Sequence, residues 1–118
     1  MDKVNLADKL ALISGQWQAK VVGEINDMYV KLVKLEGEFL WHSHDWEDEM
    51  FFVVEGEMVM RYRDRDVIIG PGEFIIVPHG VEHMPVCREK TNIMLIEPKA
   101  TVNTGNAGGE RTVEPEWI

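Results

Sequence analysis

The chain has little with which to cross-link itself, span a bilayer or hold a polyanion. Of its 118 residues only one is a cysteine, Cys87, so no disulfide can form within the chain. A lone thiol fits a reducing compartment, and the cytoplasm is the expected location. No apolar run approaches the ~20 residues of a membrane-spanning helix. The opening Met1-Asp2-Lys3-Val4-Asn5 has no basic stretch followed by an apolar one, so neither a signal peptide nor membrane attachment is expected. Basic residues are scarce: 12 Lys and Arg stand against 21 Asp and Glu, a net charge of −9 with a pI near 4.8. Such a surface repels phosphate backbones, and nucleic acid is not expected as a partner. No internal repeat is visible.

What is present suits one folded domain, with 45% hydrophobic residues and 28% charged. Asn5 to Ile13 reads as a short helix: Asn5 can cap it, and Leu6, Leu10 and Ile13 fall on one face. Ser14-Gly15 ends it, closing an N-terminal arm over 1–15. From Trp17 the pattern becomes strands, at Trp17–Val22, Met28–Leu35, Phe39–His44, Met50–Glu55, Glu57–Arg63, Asp66–Ile69, Glu73–Val77 and Asn92–Glu97. Asn26-Asp27 reads as a turn. Short strands punctuated by Gly, Pro and Asp predict an all-β sandwich or barrel over 16–98. The runs Phe51–Val54 and Phe74–Val77 predict strands buried on both faces. Residues 99–118, rich in Thr, Asn and Gly, read as an irregular tail, with Trp117 and Ile118 able to anchor its end.

The chemistry concentrates around four histidines. On a strand, His42 and His44 point to one face, either as two metal ligands or as two surface residues beside a turn. Glu49 follows an acidic loop, Asp45 to Asp48, that can fold a carboxylate back toward them. His83 follows Pro78-His79-Gly80-Val81-Glu82; Pro78 and Gly80 argue against a helix, so His83 is expected to begin a strand. Cys87 has no basic neighbour to activate it.

These residues resemble a known family. Gly37 and His42-Ser43-His44, then Glu49 and Gly56, are similar to the first motif of the cupins; Gly72 with Pro78 to His83 is similar to the second. The resemblance covers roughly residues 30–98. Two details depart from the pattern: Gly37 lies one residue closer to His42 than usual, and Cys87 stands where the second motif closes with asparagine. The resemblance implies a double-stranded β-helix, or jelly roll, with His42, His44, Glu49 and His83 holding one divalent metal inside it. Such mixed N/O ligands suit Mn, Fe, Co, Ni, Cu or Zn alike. It also implies a small single-domain cupin of the cupin 2 type, likened to mannose-6-phosphate isomerase.

Around that site, Trp46 is expected at the cavity mouth. Phe51, Val53, Met58, Met60 and Tyr62 are expected to line the cavity by strand parity, and His79 to support the ligands from outside. Arg61 and Arg63 should face outward. A small-molecule ligand is the expected partner. Three activities remain open: a sugar or sugar-phosphate isomerase or epimerase, an Fe-dependent dioxygenase, and a non-catalytic small-molecule-binding module. The doubly apolar strands and sticky helix predict a homodimer.

Overall fold

The structure, a computed structural model, describes residues 2–118. Helix α1 spans Leu6–Leu10, shorter than the apolar pattern predicts; Asn5 caps it by accepting the Asp8 N–H at 2.9 Å. Strands follow at β1 (Lys20–Ile25), β2 (Met28–Glu38), β3 (Glu49–Glu55), β4 (Met58–Tyr62), β5 (Asp66–Ile69), β6 (Phe74–Val77), β7 (His83–Pro98) and β8 (Glu116–Trp117). Asn26-Asp27 joins β1 to β2, with Asn26 at positive φ as a two-residue hairpin turn requires.

The long strand β7 organises the barrel. Along one edge it runs antiparallel to β2, from Met28↔Pro98 to Glu38↔Val86. Along its other edge, its first part pairs with β4 (Tyr62↔His83) and its later part with β3 (Met50↔Ile96). β5 extends β4, and β6 extends β3. The sheet therefore curls around β7 and β2 into a jelly roll. The sequence pattern divides β7, because Arg88-Glu89-Lys90 interrupts the apolar alternation. β7 carries these three exposed residues through a bulge, its register to β2 shifting between Leu35↔Thr91 and Gly37↔Cys87.

Alternation places one set of side chains inside the roll, with Val33, Leu35, Phe51, Val53, Met58, Met60, Ile69, Val77, Ile93 and Leu95 forming its core. The outer face of the main sheet is also apolar. Leu10 and Ile13, with Leu6, cover Val22, Leu32, Val30 and Met94 at one end of that face. The other end is open: Phe74 and Ile76 are 57% and 54% exposed, so the run Phe74–Val77 is buried on one face only in this chain.

Two segments differ from the sequence pattern. Phe39–His44 forms no strand beyond the single bridge His42↔His83, and β1 starts at Lys20 because Trp17 takes a positive φ and breaks the extended run. The tail is mostly turns, but Glu116–Trp117 pairs parallel with Lys20–Val21, and the Ile118 N–H bonds to Val21. Before that it folds against the ligand loop. The Asn106 side chain accepts the Ser43 N–H, and its own N–H bonds to Ser43 O, both at 2.9 Å. Gly105 has φ +51 and lies against the Ser43 carbonyl, where no Cβ fits.

Candidate metal centre

His42, His44, Glu49 and His83 come from three places in the chain and meet at the inner wall. The backbones of His42 and His83 exchange N–H···O bonds of 3.1 and 2.9 Å, which sets their rings 4.3 Å apart. His44, two residues from His42 on extended chain, brings a third ring 5.0 Å from that of His42. Glu49 opens β3, and its side chain faces the barrel interior beside Phe51. The turn after β6 braces this arrangement. The Gly80 N–H reaches His44 O at 2.7 Å, and Asp48 accepts both the backbone N–H and the Nδ1 of His79 at 2.8 Å. His79 therefore supports the loop that ends in Glu49, while its own ring stays exposed.

One ligand-type atom from each of the four residues lies within 4.8 Å of the others, and all four residues are buried. Nδ1 of His42 faces Leu40 O and Nδ1 of His83 faces Val81 O, both at 2.9 Å, so each ring turns its Nε2 inward. His44 Nε2 lies 2.8 Å and His83 Nε2 3.3 Å from Glu49 Oε1, yet none of these three atoms has a hydrogen-bond partner. Buried polar atoms are rarely left unpaired. Separations near 3 Å are those of adjacent ligands on a metal with bonds of about 2.1 Å. The residues therefore fit a divalent ion. Carbonyls behind His42 and His83 fix their orientation, as imidazole ligands require.

The electrostatics agree. Burial, reinforced by His83, pushes the His42 pKa down to about 4, so this ring stays neutral and ready to coordinate. Burial alone would raise that of Glu49, but its polar neighbours Glu97, His44 and His83 hold it well below the usual carboxylate range. One consequence is measurable in metal-free protein. An unfolded histidine takes up its proton near pH 6.5, whereas folded His42 resists until about pH 4. The unfolded state then binds more protons, and stability is lost as pH falls through that window. Compared with a His42→Gln variant, the metal-free wild type should lose about 3 kcal/mol between pH 7 and pH 4. Urea titrations of both proteins in chelator check this; parallel pH profiles would contradict it.

The centre opens into a small, partly enclosed cavity. Trp17, Val33, Leu35, Phe39, Phe51 and Leu95 form apolar walls, and Thr101, Asn103, Val113 and Pro115 of the tail line it as well. Two charged side chains join them, Lys31 and Glu97, which pair at 2.8 Å and are almost wholly buried. Burial, then the neighbouring Glu49, raises the Glu97 carboxyl pKa well above its ordinary value, against the pull of Lys31.

Of the cavity residues expected from parity, only Phe51 lines this space. Val53, Met58 and Met60 are buried in the core where strands pack closely. Tyr62 borders a surface groove with Arg63 and Arg65, and Trp46 is 87% exposed beside a shallow recess at His44. Arg61 and Arg63 do face outward, and Arg63 stacks on Trp41 at 3.8 Å. Burial lifts the Cys87 thiol to about 11, as expected of an unactivated cysteine. Lys31 and Glu97 escaped the motif reading, although parity carried a signal. Lys31 shares a face with Val33 and Leu35, and Glu97 shares one with Ile93 and Leu95. A charge on an apolar stripe marks a polar group held inside.

The Cupin_2 family, a cupin domain, matches residues 28–98, which hold the whole cluster. This chain is a cupin. Its fold superposes on that of a cupin-2 domain protein from Shewanella frigidimarina NCIMB 400 with a TM-score of 0.80 and 44% identity, covering 80% of this chain and 93% of the other. Protein NMB1881 from Neisseria meningitidis is 34% identical with a TM-score of 0.76, over 82% of this chain and 99% of that one. The uncharacterized protein YdbB of Bacillus subtilis (strain 168) is 30% identical over 79 residues, 66% of this cupin and 70% of YdbB. No helix among the described residues is long and apolar enough to cross a membrane.

Proposed function

We propose that this cupin is a metal-dependent enzyme acting on a small molecule in the barrel cavity. His42, His44, Glu49 and His83 would hold one divalent transition metal. The observation that carries this reading is the convergence of buried ligand atoms on His44, Glu49 and His83 that have no other partner. When bound, the metal supplies Lewis acidity toward a substrate oxygen. The chain's own residues do the rest. The apolar walls exclude water and take the substrate's carbon skeleton, while the backbone carbonyls behind His42 and His83 hold their rings in place.

Lys31 and Glu97 favour proton-transfer chemistry of the isomerase or epimerase kind, since oxygen insertion by a dioxygenase needs no such polar pair beside the metal. Lys31 is the sole basic side chain among the described cavity-lining residues apart from the histidine ligand, and it is already paired. That favours an unphosphorylated substrate over a sugar phosphate. Metal analysis of purified protein, followed by turnover of hydroxy-carbonyl compounds under nitrogen and under air, tests the reading. Turnover without oxygen uptake supports it. Iron with oxygen uptake would move it to a dioxygenase, and ligand binding without turnover to a binding module.

We also propose a homodimer. Phe74 and Ile76 pair across strands with Phe52 and Met50, and these in turn with Met94 and Ile96, giving an apolar stripe on the outer face that the helix leaves open. β6 is an edge strand, so a twofold-related copy can lie against this stripe. A Phe74→Asp, Ile76→Asp variant should run as a monomer in light scattering at concentrations where the wild type is dimeric. A monomeric wild type would refute the interface.

A further inference from the structure

The Lys31–Glu97 pair is not explained by stability. Each side chain is less than 5% exposed, yet buried ion pairs typically stabilise no better than well-packed apolar residues of similar size. Its placement is informative. Lys31 on β2 and Glu97 on β7 line the same cavity as His42 and Glu49. Glu97 Oε1 is taken by Lys31 Nζ, while Glu97 Oε2 is buried with no donor in hydrogen-bond geometry and the Glu97 carboxyl neighbours the Glu49 carboxylate. The ammonium has three N–H groups, of which Glu97 takes one. The wall therefore offers a donor and an acceptor side by side. A hydroxyl is the simplest group that satisfies both from one atom, accepting from Lys31 and donating to Glu97. The remaining walls, among them Phe39, Phe51 and Leu95, suit a short carbon skeleton. A divalent ion held at the cluster with one carboxylate ligand would make its part of the cavity attractive to an anion.

We propose that Lys31 and Glu97 form a hydroxyl-reading subsite that selects a small hydroxylated carboxylate, its carboxylate directed to the metal and its hydroxyl bridging Lys31 Nζ and Glu97 Oε2. The assignment rests on the metal reading above. Lys31 and Glu97 are specificity residues here, since removing the donor or the acceptor leaves its counterpart unpaired against the ligand. A site built to hydrogen-bond a hydroxyl rejects analogues that lack it far more strongly than an apolar wall rejects a missing methylene.

The test uses cobalt-loaded full-length protein, the visible spectrum of the bound ion, and calorimetry with three probes. Gluconate carries both groups, hexanoate only the carboxylate, and sorbitol only hydroxyls. Gluconate should bind and perturb the cobalt spectrum, with hexanoate and sorbitol each at least tenfold weaker. Lys31→Met and Glu97→Gln should each weaken gluconate by tenfold or more and leave hexanoate unchanged. If a single variant fails to fold, the paired Lys31→Met, Glu97→Leu variant removes both charges together and should show the same loss. Equal binding of gluconate and hexanoate would overturn the subsite, as would variants that keep gluconate affinity. Loss of cobalt from Glu97→Gln would also overturn it, by showing that Glu97 acts through Glu49. A wild type that takes up no cobalt would instead defeat the metal reading itself, and the subsite with it.

Discussion

Replacing His44 with alanine is expected to abolish metal binding while leaving a folded barrel. His44 Nε2 lies 2.8 Å from Glu49 Oε1 with no hydrogen bond of its own, so it has no structural partner to lose. Loss of a supporting hydrogen bond behind a ligand commonly costs 10–100-fold in metal affinity, and loss of the ligand itself should cost about 100-fold or more. In the wild type, metal at about a thousand times its dissociation constant would add roughly 4 kcal/mol to stability. At the same metal concentration an alanine variant weakened about 100-fold or more should gain about 1.4 kcal/mol or less. Elemental analysis and paired thermal melts, with metal and with chelator, read both quantities. A variant that keeps the wild type's metal affinity would show that His44 is not a ligand.

Breaking the Lys31–Glu97 pair should cost the fold heavily. Removing Glu97 leaves the buried Lys31 ammonium unpaired, at a cost of about 3–5 kcal/mol. Removing Lys31 costs less, because the Glu97 carboxyl, already raised in pKa, can take up a proton. In urea titrations Glu97→Gln should show that penalty and Lys31→Met a smaller one. The double variant Lys31→Met, Glu97→Leu should recover most of it, because no unpaired charge remains. The decisive quantity is the coupling between the two sites. Additive penalties would mean that the two residues do not act as a pair. A stable double variant that has also lost gluconate binding would separate the function of this pair from its contribution to folding.

Much of the architecture was legible because strand parity and turn residues are local signals. The Asn26-Asp27 hairpin and the start of β7 at His83 follow from where the chain can bend. The four-residue cluster was legible for a related reason: its two motifs carry residue types that chemistry constrains, and each lies within a short segment. Parity also showed its limit. It places Val53, Met58 and Met60 inside correctly, but being inside a roll is different from facing its open end. Which interior residues see the cavity depends on how strands stack, and no single strand records that.

His42-x-His44 illustrates the division most clearly. By itself it was compatible with a surface pair. The bridge to His83 and the approach of Glu49 make it one wall of a closed cluster, and both depend on contacts between segments some forty residues apart or across a loop. The tail shows the same. Its composition says only that it is neither helix nor regular strand, yet Asn103 and Val113 line the cavity and Asn106 holds Ser43 in place.

By itself, the sequence determined the β-rich class, the turns, the absence of any disulfide within the chain, and the residues able to bind a metal, because these depend on local conformation and on side-chain chemistry. Only the tertiary structure decided that Lys31 and Glu97 share a cavity with His42 and Glu49, that the tail lines one side of it, and that the outer apolar stripe is left partly open. Each of these joins residues far apart in the chain, and the physical reason is packing: what surrounds a side chain is set by whichever segments fold against it.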